Sequence, residues 1–358
     1  MPLPSETPTR HDDPFPRQQA RTRRFALGAP RSFTVSPDGA RVVFLRSSSG
    51  TDPVNALHVL DTASGDERVV ADPRAMSFVG DDDLPAAERA RRERMRETTS
   101  GITGYSSDTA ATTAAFALSG RLHVVDLVGD DGARELDVPG PVVDPRLSPD
   151  GRHVAYVASG TVHVVDVDGS GHRVLLAPES ATVTYGLADF IAAEELDRSR
   201  GLWWSPSSDA LVVERSDEAD VPLWYIADPA SPQTPPVEHR YPAAGRTNPA
   251  VSLHLVPIDG GPSTPIEWDH DGFEYLVSFS WQRRHDPLVT VLSRDQRTML
   301  TLRVDTATGE STTVLEATDP CWVEVVPGLP AWAPDGRLAH VVDDSGARRI
   351  ALDGAPLT

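Results

Sequence analysis

The stretch "SPDGRHVAYVASGTVHVVDVDGSGHRVLL", residues 148–176, decides the fold. It starts with a Pro-Asp-Gly turn, continues as a strand of alternating apolar residues, and ends in a hairpin whose turn contains Asp and Gly. Both parts return elsewhere in the chain. The turn-and-strand part recurs as "SPDGARVVFLR" from Ser36, "SPSSDALVVER" from Ser205 and "APDGRLAHVVD" from Ala333. The hairpin part recurs from Leu57, Leu122, Leu253 and Leu302.

This repeat predicts an all-β fold, a β-propeller of four-stranded blades. The repeated unit holds two coupled hairpins and spans about 40 to 50 residues, which is the length of one propeller blade. A β-sandwich is the alternative, because it also has short strands joined by polar turns. A sandwich gives no reason, however, for both hairpins to recur in the same order.

The signatures mark about six blades, interrupted by two helical insertions and one arm. The predicted blades lie near 33–72, 101–140, 142–178, 199–268, 273–317 and 330–358. We expect short helices over 83–100 and 188–200, since strand alternation stops there. Residues 221–250 are rich in proline, which cannot donate to a sheet ladder, and predict an extended arm. Residues 1–30 are predicted to be a poorly ordered extension of the propeller domain, 31–358.

Composition excludes several classes of function. The 358 residues carry a formal net charge of -20, which argues against a nucleic-acid binder. No apolar run has the length of a secretory signal core or a membrane span, so a cytoplasmic protein without membrane contact is expected. Cys321 is the single cysteine, which excludes an internal disulfide and a CxxC metal site. We expect neither a metal nor a cofactor.

Four histidines stand at the same position of their repeats: His58, His123, His163 and His254. Equivalent positions in repeated hairpins have equivalent places in the sheet. We therefore interpret these histidines as structural residues of the blades and not as metal ligands.

Two adjacent carboxylates, Glu194 and Glu195, stand on the second helical insertion. One interpretation is a solvated helix face, with Arg198 pairing Glu195 at i,i+3 and Glu194 at i,i+4. The other is a clamp for one ammonium group, which has three hydrogen-bond donors and no acceptor. The residue pattern alone leaves both interpretations open.

The sequence around the pair resembles the N-terminal propeller of the dipeptidyl peptidase IV branch of the prolyl oligopeptidase family. In that family an Asp-aromatic segment leads into a Glu-Glu pair, a Trp-Trp-Ser-Pro strand, a Val-Pro arm and a Tyr-Pro-x-x-Gly-x-x-Asn-Pro return. All occur here in order, at Asp189-Phe190, Glu194-Glu195, Trp203 to Pro206, Val221-Pro222 and Tyr241 to Pro249. The similarity extends from about residue 30 to the end of the chain.

The resemblance implies a function in proteolysis. In the family the Glu pair binds the free α-amino group of a peptide, so that the enzyme releases dipeptides, usually after Pro or Ala. It implies that Glu194 and Glu195 bind the amine, and that Arg92 or Arg96 of the first insertion contacts the substrate carbonyl. It also implies a homodimer to which the arm, 221–250, contributes.

The sequence departs from the family in two respects. It contains no Gly-x-Ser-x-Gly nucleophile motif, so no catalytic residue is assigned and the chain alone is expected to be inactive. It also ends in a sixth blade, whereas the family propeller has eight. We therefore expect a truncated or split product that needs the missing blades and an α/β-hydrolase domain. The alternative is a free-standing propeller that serves as a protein-interaction module.

Overall fold

The computed structural model describes residues 13–76, 78, 80 and 84–357. The chain divides into two compact units. The first contains the described residues up to Leu147 together with Val167–Gly169, and the second contains Ser148–Asp166 and the residues from Ser170 onward. Each unit is built mainly from antiparallel strands.

The first unit contains two short helices and ten strands. In chain order they are α1 (Phe15–Arg21), β1 (Arg31–Val35), β2 (Arg41–Ser47), β3 (Val54–Asp61), β4 (Glu67–Ala71), a 3₁₀ turn (Pro73–Ala75), α2 (Ala86–Arg94), β5 (Ser100–Gly101), β6 (Ser106–Ser107), β7 (Thr113–Leu118), β8 (Arg121–Asp126), β9 (Arg134–Leu136) and β10 (Val143–Leu147).

The second unit contains one short helix and eighteen strands. They are β11 (His153–Ala158), β12 (Thr161–Asp166), β13 (Arg173–Leu176), β14 (Val183–Tyr185), α3 (Phe190–Glu195), β15 (Leu202–Trp204), β16 (Ala210–Asp217), β17 (Leu223–Ile226), β18 (Val237–Arg240), β19 (Ala250–Pro257), β20 (Thr264–Ile266), β21 (Tyr275–Ser280), β22 (Leu288–Leu292), β23 (Thr298–Val304), β24 (Ser311–Thr318), β25 (Ala331–Trp332), β26 (Leu338–Asp344), β27 (Ala347–Leu352) and β28 (Ala355–Pro356).

The strands follow one another in meander order, as blades of a propeller do, and this confirms the predicted fold class. Within the described residues there are six sheets with four strands in sequence, of the orders β1-β2-β3-β4, β6-β7-β8-β9, β10-β11-β12-β13, β14-β16-β19-β20, β21-β22-β23-β24 and β25-β26-β27-β28. Two sheets carry a fifth strand, since β5 pairs with β3 and β15 pairs with β16.

In each unit, apolar residues from successive sheets pack together in one buried core. Leu57 of the first sheet and Phe116 of the second belong to the same buried cluster in the first unit. Val212 of the fourth sheet and Val291 of the fifth do the same in the second unit. Burying both faces of a sheet explains why the middle strands have longer apolar runs than a one-sided sheet would show.

The segments expected to lie outside the blades have regular structure of their own. Helix α2 lies within 83–100, of which residue 83 is outside the described part, and helix α3 lies within 188–200. The arm over 221–250 forms a separate two-stranded sheet from β17 and β18. The described part of the predicted extension, 1–30, contains helix α1, which Pro14 precedes as N-cap. Residues 1–12 lie outside the described part.

A serine and an aspartate close the repeated turns. Ser148 Oγ donates to Asp150 Oδ1 at 2.6 Å and accepts the His153 amide at 3.0 Å. The fifth sheet repeats this geometry with Ser293 and Asp295, 2.8 Å apart, in a turn that lacks both Pro and Gly. Hydrogen bonds from the Ser293 hydroxyl and a backbone amide hold the pKa of Asp295 below its ordinary value. The hydroxyl-carboxylate pair is therefore kept even in a turn that lacks Pro and Gly.

Three of the repeated histidines stack on an aromatic ring across the strand pair. The register joins Phe44 to His58, Phe116 to His123 and Tyr156 to His163. The ring centroids lie 5.4, 5.3 and 4.9 Å apart, with the planes within 15° of parallel. The three imidazoles are buried, and burial lowers the pKa of each. The repeat thus places an uncharged imidazole inside each of the first three sheets.

Replacing one of these histidines should reduce the loss of stability in mild acid. Because the pKa of His123 is lower in the folded protein, the unfolded chain binds the proton first as the pH falls below about 6.5. We expect the fall in melting temperature from pH 7.5 to 5.5 to be smaller in H123Q than in the wild type. H239Q, on the exposed strand β18, is the control and should leave that fall unchanged. Equal falls in H123Q and the wild type would contradict the expectation.

Candidate functional site

Helix α3 is an insertion between two strands that pair with the same neighbour. Strands β14 and β15 both pair with β16, and the chain leaves the sheet at Gly186 and returns at Gly201. A Cβ atom on Gly201 would lie 2.5 Å from the backbone nitrogen of Leu187. Gly186 has φ +76°, and a Cβ there would lie 2.7 Å from a methyl group of Val157. The base of the insertion is therefore closed so tightly that both positions require glycine.

Asp189 starts the helix. As N-cap it accepts two backbone hydrogen bonds on Oδ1, from Ile191 at 2.9 Å and Ala192 at 3.2 Å. An N-cap aspartate satisfies amides that have no partner within the helix and stabilises it by about 1 kcal/mol. At the other end the backbone N–H of Arg198 donates to the carbonyl of Ala192 at 3.0 Å. The six-residue helix is thus fixed at both ends.

A buried guanidinium joins this helix to the sheet. Arg198 Nη2 donates to Asp189 Oδ2 at 3.1 Å, and Nη1 donates to Glu214 Oε2 on strand β16. The other carboxylate oxygen of Glu214 accepts the Asp189 amide at 2.9 Å. Arg198 and Asp189 are each 7% exposed and Glu214 is 0% exposed. We call these three residues the Arg198 network.

The network contains two carboxylates and one guanidinium away from water. Burial raises the pKa of Glu214 to about 7, and the neighbouring charge of Asp189 adds to this effect. Arg198 acts in the opposite direction by attracting the ionised carboxylate. Burial is the larger effect, so Glu214 changes its charge close to neutral pH.

The predicted amine-binding residues are the last two of helix α3. Glu194 is half-buried, with its Oε2 atom shielded from solvent, and Glu195 is exposed. Glu195 lines a cavity of about 580 Å³ together with residues 196–200, 277–280 and 322–330. The expected pairing of Arg198 with these glutamates is wrong, because its guanidinium bonds to Asp189, Glu214 and main-chain oxygens. Arg198 is therefore not the counter-ion of the pair.

The arm touches the helix through a row of aromatic rings. Phe190, the first residue of α3, meets Tyr241 edge to face at 5.3 Å, and Tyr241 lies 4.8 Å from Trp224 of strand β17. Most side chains of β17 and β18 are exposed, including Trp224 at 52% and Tyr225 at 61%. The arm thus combines one anchored ring with an apolar surface that faces solvent.

The two arginines predicted to contact substrate belong to the first unit. Arg92 is buried on helix α2, where its Nε donates to Glu88 Oε1 at 2.8 Å. Arg96 follows the end of that helix with φ 54° and is exposed. Since the helix ends at Arg94, Arg92 lies on the helix and Arg96 lies beyond its end.

The chain belongs to the family described as the dipeptidyl peptidase IV N-terminal region, whose model matches residues 115–353. This confirms the resemblance found in the sequence. The match covers the whole of the fourth sheet, which the insertion leaves and rejoins, and the whole of the arm. Among the helices of the described residues, none is long and apolar enough to cross a membrane.

The chain is also similar to individual dipeptidyl peptidases. It is 27% identical to dipeptidyl peptidase 8 of Homo sapiens over 54% of this chain and 26% of that protein. It is 25% identical to inactive dipeptidyl peptidase 10 of Rattus norvegicus over 52% of this chain and 24% of that protein. The fold matches the crystal structure of Porphyromonas gingivalis dipeptidyl peptidase 4 with a TM-score of 0.70 and 20% identity, over 92% of this chain and 46% of that one. The matched parts span between a quarter and half of these relatives.

Sequence reasoning missed the Arg198 network. One signal was present: in "ALVVERSD" Glu214 directly follows three buried apolar residues, 211–213, of the same strand. A charged residue inside such a strand needs a buried partner. The sequence does not say which cation supplies it, because Arg198 stands 16 residues earlier, before strand β15.

The ionisation of Glu214 should appear in the pH dependence of stability. Since its pKa in the fold, about 7, exceeds the ordinary 4.5, its stabilising contribution is complete below about pH 4.5 and is lost as the pH rises through about 7. We therefore expect the melting temperature of the wild type to exceed that of E214Q by more at pH 5 than at pH 8. E238Q, on the exposed strand β18, should show a difference that does not change with pH. A constant difference for E214Q as well would overturn this assignment.

Proposed function

We propose that this chain is the substrate-gating and N-terminus-binding propeller region of a dipeptidyl peptidase IV-like serine exopeptidase. The observation that carries the proposal is the position of Glu194 and Glu195. They are the last two residues of a capped helix that a buried ion network anchors. Glu195 lines a cavity at the end of that helix. The complete enzyme would release N-terminal dipeptides from peptides.

The chemistry of the pair suits a free N-terminus. An α-amino group with a pKa of about 7.7 to 8.0 is largely cationic at neutral pH, and its three N–H donors can reach two carboxylates at once. A hydrogen bond to a charged group contributes about 1.5 to 3 kcal/mol. Two carboxylates at the end of one helix, of which Glu195 lines the cavity, would thus select peptides by their amine and fix the distance to the scissile bond.

The other parts of the active site would lie outside the amine-binding helix. We propose that the nucleophile belongs to a hydrolase domain or a separate chain, because this sequence contains no Gly-x-Ser-x-Gly motif. Arg92 and Arg96 stay candidates for contact with the substrate carbonyl. The proposed location is the cytoplasm, which cell fractionation tests.

Removing the charge of either glutamate should weaken substrate use. In the complete enzyme E194Q and E195Q keep the shape of the side chain but lose the attraction for an ammonium group. We expect kcat/KM for a Gly-Pro chromogenic substrate to fall about 10- to 100-fold in each variant, which corresponds to about 1.4 to 2.7 kcal/mol.

The control is an N-acetylated form of the same substrate. It carries no cation at that position, so its slow hydrolysis should change little in either variant. Small and equal effects on both substrates would favour a solvated helix face and remove the amine-clamp proposal.

We further propose that the arm, 221–250, contributes to a homodimer. Its two strands expose Leu223, Trp224, Tyr225, Ile226 and Val237, each by at least 42%. Aromatic side chains that lie on a rigid hairpin lose little conformational freedom on binding, and they are enriched at the centres of protein interfaces.

Polar replacements on the arm should separate the dimer. We expect the double variant W224S/Y225S to have half the molar mass of the wild type in light scattering after size exclusion. W322S, which alters an equally exposed tryptophan outside the arm, should keep the mass of the wild type. A monomeric wild type, or a double variant that stays dimeric, would contradict the proposal.

A non-catalytic interaction module is the second candidate function. Two observations favour it: one relative is named inactive dipeptidyl peptidase 10, and the arm exposes apolar rings. In that case the arm would retain its binding role while changes at Glu194 and Glu195 would have no effect on any peptidase activity. The glutamate variants and the arm variant therefore distinguish the exopeptidase propeller from the interaction module.

A further inference from the structure

The guanidinium of Arg198 contacts three separate parts of the second unit. Nη2 bonds to the helix cap Asp189, Nη1 bonds to Glu214 on strand β16, and Nε bonds to the carbonyl of Leu276 on strand β21 at 3.1 Å. A fourth bond, from Nη1 to the carbonyl of Arg200 at 2.8 Å, closes the loop that follows the helix.

We propose that Arg198 is a positioning residue for the amine site, which fixes helix α3 and so holds Glu194 and Glu195, at the end of that helix, beside the cavity that Glu195 lines. The proposal rests on the function proposed above. Arg198 itself would not touch substrate, because its side chain is buried and its bonds go to the protein. Its effect would act through the orientation of the helix.

The helix needs such support. Six residues are far below the length at which an isolated helix is stable, so its orientation depends on tertiary contacts. A binding site of two carboxylates loses affinity when its side chains shift by more than about 0.5 Å. Arg198 is connected to both ends of the helix, through Asp189 at the start and through its own backbone bond to Ala192 near the end.

The geometry also explains why arginine fits this position better than lysine. The planar guanidinium donates in several fixed directions, and here one side chain reaches Asp189, Glu214 and Leu276. A lysine ammonium keeps the charge but is a single centre that cannot span these acceptors. Charge alone would therefore not maintain the orientation of the helix.

The experiment uses the complete enzyme with R198K and R198A. For each variant KM and kcat are measured with the Gly-Pro substrate, and the rate of inactivation by a small fluorophosphonate is measured in parallel. That reagent reacts with the nucleophile and needs no N-terminal amine. R337K is the matched control, because Arg337 pairs with Asp335 on an exposed turn.

If Arg198 positions the helix, KM for the Gly-Pro substrate should rise at least 10-fold in R198K and R198A, while the rate of inactivation changes less than 2-fold. Methylguanidine, added to R198A, should restore part of the lost affinity because it can occupy the vacated site. R337K should behave as the wild type in every measurement. If R198A does not fold, R198K with the same selective rise in KM supports the proposal alone.

Two results would overturn the proposal. Unchanged KM in R198K and R198A would show that the helix keeps its orientation without the guanidinium. An equal fall in substrate turnover and in the rate of inactivation, without rescue, would show a general loss of folded enzyme. After either result, E195Q shows which proposal fails. If E195Q leaves kcat/KM for the Gly-Pro substrate unchanged, the amine site itself is wrong. If E195Q lowers kcat/KM, the amine site stands and only the role of Arg198 fails.

Discussion

Burial of two carboxylates around one guanidinium is the constraint on which the candidate site depends. A buried charge without a partner costs several kcal/mol, so Asp189, Arg198 and Glu214 cannot move apart independently. A hydrophobic contact of the same size would hold the helix but not its direction. The ion network fixes direction as well, because each hydrogen bond of the guanidinium lies in one plane.

Burial acts on the titratable groups of this chain in two opposite ways. It lowers the pKa of His58, His123 and His163, whose charged form is the protonated one. It raises the pKa of Glu214, whose charged form is the deprotonated one. The blades therefore lose stability as the pH falls below about 6.5, whereas the Arg198 network loses stability as the pH rises through about 7.

The sequence predicts the blades well because the repeat is local. Adjacent residues determine a turn and the strand after it, so the strands can be located from the amino-acid sequence alone. The partner of a buried charge is not local: Arg198 has Glu194 and Glu195 four and three residues away, yet it bonds to Asp189 and Glu214. Helical spacing predicts that Arg198 pairs with Glu194 or Glu195. The helix ends at Glu195, however, before the arginine. The requirement of Glu214 for a buried cation then determines where the guanidinium lies.

The same helical geometry explains why the two glutamates stand on an insertion and not on a blade strand. Successive residues of a strand point to opposite faces of the sheet, so adjacent carboxylates there would lie on two sides of the blade. Successive residues of a helix are turned by about 100°, and at the end of a short helix two long side chains can reach one point. Two adjacent carboxylates that are to bind one ligand, as proposed for Glu194 and Glu195, therefore require the chain to leave the sheet. The tight glycines at Gly186 and Gly201 show how this chain does so, since they let strand pairing stop and resume against the same neighbour, β16.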